Sequence, residues 1–174
     1  MAEITFISNK TRKETSRYLF VIIFAVITWI LQVSILNRII LFDTAPNLML
    51  ITTVFFGLIA GPLNGTISGI IISFLSASIL YDHIFYFSYP LIGLCAGLLT
   101  KNLFSDELLF FILLTFLFAF PFELFNGWQY SLINPVNITH RIIEVGFGTA
   151  VLNLIISPFF YLIMNFITKK LKLR

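Results

Sequence analysis

Few residues in this 174-residue chain are of a type that can do acid–base, metal or nucleophilic chemistry. Such chemistry needs paired carboxylates, a cluster of metal ligands, or a nucleophile beside a base. His83 and His140 stand far apart, without the four-residue spacing that lets two imidazoles share a metal from one helix face. Cys95 is the sole cysteine and has no disulfide partner in the chain. Set between Leu94 and Ala96, it reads as a small hydrophobe. No His-Glu-x-x-His, Gly-x-Ser-x-Gly or P-loop pattern occurs. The expectation is a protein that is not an enzyme and has no cofactor or metal.

Glu123 and Asn126 are a different matter. They lie one turn apart in an otherwise apolar run that includes Phe120-Pro121-Phe122. A carboxylate in such a run is costly in lipid, and by default it marks a relay, a buried contact or a hydrated end. Asp82 closes another apolar run beside His83, at a helix C-terminus where a negative charge is unfavourable. Glu144 sits three and four residues after Arg141 and His140, a spacing that local ion pairing explains.

The elements that must hold these residues are membrane helices. Apolar residues make up 59% of the chain and charged residues 11%, with a mean hydropathy of +0.99. Soluble domains run about 25% charged. Ten of the 19 charges fall in residues 1–17 and 169–174, leaving nine for the 151 between. These proportions exclude a soluble globular domain and a disordered chain. The excess cations at the ends read as orientation signals rather than as a nucleic-acid surface. The 21 phenylalanines read as lipid-facing bulk or as base-composition bias in the coding DNA, without functional weight.

A crossing takes about 20 helical residues. Apolar runs at 18–36, 47–60, 66–80, 88–100, 107–126 and 142–168 predict six. The first run is too long for the apolar part of a signal peptide and reads as a retained helix. The second and third are divided by Gly61-Pro62-Leu63-Asn64-Gly65, either a hairpin turn or a broken helix. With both termini cytoplasmic, Lys10, Arg12, Lys13, Arg17, Lys101, Lys169, Lys170, Lys172 and Arg174 lie inside, against Arg38 and Arg141 outside. The positive-inside rule prefers that arrangement. Residues 1–17 and 169–174 are then basic cytoplasmic tails around a six-helix domain, 18–168. Trp29, Tyr86, Tyr89, Trp128 and Tyr130 fit an aromatic belt.

Small residues recur every fourth position at Gly61, Gly65, Gly69, Ser73 and Ala77, and again at Gly93 and Gly97. That spacing collects small side chains on one helix face and lets backbones approach closely. The face serves either packing within the bundle or docking of a partner's helix.

These segments resemble the MreD family, the small membrane subunit of the bacterial rod-shape (elongation) machinery. The resemblance runs from about Leu31 to Leu103. It rests on Leu31-Gln32-Val33 at the end of the first helix, the Pro46-Asn47-Leu48 entry to the second, and the Gly61-Pro62-Leu63-Asn64-Gly65 turn. A Gly-spaced helix closing on Asp82 and a further Gly-bearing helix, 90–99, complete it. The resemblance implies a non-catalytic subunit of the bacterial inner (cytoplasmic) membrane that helps to maintain cell shape. Its implied partner is a single-span MreC-like protein, and through that protein an MreB-like filament, a SEDS glycosyltransferase and a penicillin-binding transpeptidase. It implies a periplasmic-end contact for Asp82. The family is also similar in fold to the substrate-capturing subunits of energy-coupling-factor vitamin transporters. The alternative is therefore a solute-binding transporter subunit, with polar outer-end residues such as Glu123, Asn126, Trp128, Gln129 and His140 around a cavity.

Overall fold

The computed structural model describes residues 2–41, 44–79, 86–99, 107–132, 139 and 141–170. Among them the chain forms six α-helices: α1 (Ala2–Ser34), α2 (Leu48–Ala60), α3 (Pro62–Ile79), α4 (Ser88–Leu99), α5 (Glu107–Ser131) and α6 (Phe147–Lys170). A 3-10 turn, Leu36–Arg38, follows α1, and a π turn, Arg141–Gly146, leads into α6. The described residues hold no strand, only an isolated bridge between Leu41 and Thr44. The all-α class expected from the sequence is what the described residues form.

Three stretches, Glu14–Arg38, Glu107–Gln129 and Ile143–Lys170, are long and apolar enough to cross a membrane. Helices α2, α3 and α4 are apolar but shorter. The outer faces of the long helices carry Leu19, Ile23, Leu109, Leu117, Ile155, Phe159 and Phe166, all exposed. A surface so continuously apolar suits lipid rather than water.

α2 is the axis of the bundle. Leu48 and every residue from Leu50 to Leu58 are buried, and α2 packs against the other five helices. Phe55 is its hub, with edge-on ring contacts to Phe56, Phe111, Phe160 and Tyr161 at centroid distances of 5.7–5.9 Å. Such T-shaped pairs place the positive ring edge on the negative ring face. Phe55, Phe56 and Phe111 thus form core, while Phe74, Phe87, Phe147, Phe159 and Phe166 are the lipid-facing bulk expected of phenylalanine here.

The predicted five-residue break between the second and third helices is one residue long. α2 ends at Ala60, Gly61 turns at φ 92°, and α3 starts directly at Pro62. Positive φ costs glycine little, and proline suits a first helical position because its fixed φ is helical and its missing N–H is not needed there. The backbone of α1 is helical from Ala2, so residues 10–17 are continuous with the first apolar helix.

Candidate functional site

At one end of the bundle α1 and α5 finish while α2, α4 and α6 begin, and their polar residues converge there. Asn47 caps α2, its Oδ1 accepting from Leu50 N–H at 2.9 Å. Gln32, from the last turn of α1, accepts from Leu48 N–H at 2.7 Å through Oε1. Its Nε2 donates to the Pro46 carbonyl at 2.8 Å and to Asn37 Oδ1 at 2.7 Å. Asn153 of α6 accepts from Asn47 N–H at 2.8 Å. A helix begins with N–H groups that have no intrahelical partner. Here side chains from three segments satisfy those of Leu48 and Leu50, and that of the capping Asn47, inside the bundle, which fixes the position of α2 between α1 and α6.

Around this knot lies a cavity of about 250 Å³, walled by Gln32, Asn37, Thr44, Asn47, Tyr89, Glu123 and Thr149 with Ala45, Pro46, Met49 and Val145. Glu123 is buried, 6% exposed. The π turn before α6 brings Val145 into the wall, in keeping with the tendency of π geometry to occur at functional places. Tyr89, expected in an interfacial belt, is instead buried, with its ring 4.8 Å from Phe122 and its hydroxyl 3.5 Å from Asn47 Oδ1. Trp128 is half exposed, as a belt residue would be.

Of the two intramembrane candidates, Glu123 reaches the cavity. Asn126 accepts a 2.6 Å bond from Ser88 Oγ and thereby ties α5 to the start of α4. Glu144 is exposed. Cys95 is exposed in an apolar cleft between α4 and α5, beside Leu91, Phe118 and Pro121. Asp82, His83 and His140 lie outside the described residues, as do residues 171–174. Among the described residues no three of His, Cys, Asp and Glu are grouped so as to hold a metal ion.

The small-residue ladder divides by position. A Cβ on Gly65 would sit 2.5 Å from the Gly93 carbonyl oxygen and 2.6 Å from Gly57 Cα. One on Gly69 would sit 2.5 Å from Pro90 N, and one on Gly97 would collide with Pro62. Ser73 is buried and donates to the Tyr86 carbonyl at 2.6 Å, and Ala77 is half-buried. Gly65, Gly69 and Ser73 therefore turn toward α4 and the residues leading into it. Gly61 has open space at its Cβ position, so its requirement is conformational. Gly57, absent from the ladder as first read, completes the junction, because its Cβ would meet the Gly93 carbonyl oxygen at 2.6 Å. The signal was present: Gly57 extends the four-residue spacing backward through Gly61.

Sequence reasoning also missed a buried polar stripe on α6 that starts at the cavity wall with Thr149. Thr149, Asn153, Ser157 and Tyr161 recur every fourth residue on α6, and all four are buried. Asn153 Nδ2 and Ser157 Oγ have no hydrogen-bond partner among the described residues. Gln32→Leu is expected to lower stability by about 2 kcal/mol, since the Leu48 N–H and the Pro46 carbonyl stay buried and lose their partner. Thermal unfolding in mild detergent measures it, and a shift no larger than that of an exposed control such as Ile30→Ala refutes it.

Comparison of the chain with protein-family models, with curated proteins and with solved structures finds no match.

Proposed function

We propose that the chain is a non-catalytic subunit of the bacterial rod-shape (elongation) machinery, scaffolding peptidoglycan synthesis through an MreC-like single-span partner. In this reading it crosses the cytoplasmic membrane six times with both ends inside, the shorter helices α2 and α4 being shielded or tilted. The support comes from one coincidence. Two of the segments that carry the resemblance, 61–65 and 90–99, also build the α2–α3–α4 junction, through the Gly61-Pro62 turn and the Gly57, Gly65 and Gly93 contact, and a third, 46–48, caps α2 at its other end. A resemblance confined to exposed positions would carry less weight. Asp82 is assigned to the periplasmic end on the resemblance alone.

The second reading, a solute-binding subunit of an energy-coupling-factor type transporter, is favoured by the polar cavity and its buried carboxylate. Tagged co-purification from mildly solubilised native membranes separates the two. Recovery of a single-span MreC-like protein, at near-stoichiometric yield, is the expected result. Recovery of ATPase subunits, or of a tightly bound vitamin, overturns the scaffold reading in favour of the transporter.

A further inference from the structure

The beginning of a helix is ordinarily an anion site, because its free N–H groups and the positive end of its dipole face outward. At the start of α2 most of these N–H groups are engaged, that of Met49 being the exception. The N–H groups of Asn47, Leu48 and Leu50 bond to oxygens of Asn153, Gln32 and Asn47. What the cavity offers instead is negative in character: the Glu123 carboxylate, the Tyr89 and Thr149 hydroxyls, and the carbonyl-rich last turn of α1 at Gln32. Its described wall contains no Lys or Arg. A water occupies about 30 Å³ of liquid, so a volume of about 250 Å³ holds roughly eight waters. That is room for a small polar group, and the exposed Asn37 marks the mouth.

We infer that this cavity binds a primary ammonium group, its charge on Glu123 and its N–H donors shared with the oxygens of Tyr89 and Thr149. A carboxylate accepts at about four lone-pair positions, so the ammonium adds to whatever donors Glu123 already has. A quaternary ammonium carries the same charge without donors and fits this wall poorly. Two sources share the chemistry: a free small amine, and the headgroup of an ethanolamine lipid entering from the bilayer. The inference stands on the cavity, independently of which complex the protein joins.

The test is ligand-dependent thermal stability of the full chain in mild detergent, at constant ionic strength. Saturating ethanolamine is expected to raise the unfolding midpoint by about 3 °C. Tetramethylammonium should leave it unchanged, and Glu123→Gln should abolish the response. If phosphatidylethanolamine stabilises and free ethanolamine does not, with phosphatidylglycerol inert, the source is the lipid headgroup. Should Glu123→Gln fail to fold, Ala45→Phe fills the cavity from its loop side and must abolish the same response. The inference is overturned if no primary amine stabilises the unmodified protein, or if tetramethylammonium matches ethanolamine. It is equally overturned if inorganic phosphate is the stabilising ion, or if a folded variant responds like the parent.

Discussion

Gly93→Val is expected to abolish the folded bundle, with no monodisperse protein recovered by size-exclusion chromatography in mild detergent. A Cβ at position 93 would collide with the Gly65 carbonyl, and its next neighbour would be the Thr53 methyl at 2.9 Å. Neither obstacle resembles the flexible end of a long side chain. Relief requires α3 and α4 to separate, and the same separation would dissolve the Gly57 and Gly97 contacts. Overpacking a core costs about 1–3 kcal/mol when side chains can yield. A backbone obstacle puts this case at or above about 3 kcal/mol, more than half of the roughly 5 kcal/mol that holds a marginal domain together. Leu98→Val, on the exposed face of the same helix, should behave as the parent protein does. Normal recovery of Gly93→Val would refute the close approach of α3 and α4.

Phe55→Ala should be the most damaging truncation on α2, at about 3 kcal/mol. Phe55 is fully buried among four aromatic rings supplied by α2, α5 and α6. In soluble cores Phe→Ala costs about 3–5 kcal/mol, divided between lost transfer energy and the cavity left behind. The lower end applies here. Lipid is as apolar as the core, so removal from water contributes little and the loss is mainly of dispersion contacts across the void. The expected fall in unfolding midpoint is about 6–12 °C. Phe159→Ala, on the lipid-facing side of α6, is the matched control and should shift by far less. Equal shifts for the two would mean that Phe55 is not the hub.

How much of this was legible beforehand depended on whether a feature is local. The membrane class follows from a shortage of charge, which no arrangement of the chain can alter. The turn at Gly61-Pro62 was readable because both residues act on their own backbone angles, although its length was overestimated: proline ends a helix by habit but starts one equally well. Glu123 was conspicuous as a carboxylate in an apolar run. The amide knot beside the cavity was not, because Gln32, Asn47 and Asn153 are single amides in three separate helical regions, and Asn47 bonds to a residue 106 positions away. Each taken alone is tolerable in a membrane helix, and only their convergence is informative. Tyr89 shows the converse error, since an aromatic near a helix end has the same sequence signature whether it faces headgroups or the interior.

The one-residue connection between α2 and α3 also constrains how the protein is made. α2 has 13 residues, about 20 Å of helix, which is less than the roughly 30 Å hydrocarbon thickness. Almost all of its surface is meant for other helices rather than for lipid. A segment of that kind is poorly held if it enters the bilayer alone, and Gly61 leaves no slack for it to wait while α3 is synthesised. In the six-span reading the two helices therefore leave the ribosome and enter the membrane as one hairpin. α1 is already in place to receive it, whereas α5 and α6, which complete the enclosure of α2, arrive last. The order of translation is in effect the order of assembly, and a pause or truncation after residue 79 would strand a helix that has no surface suited to its surroundings.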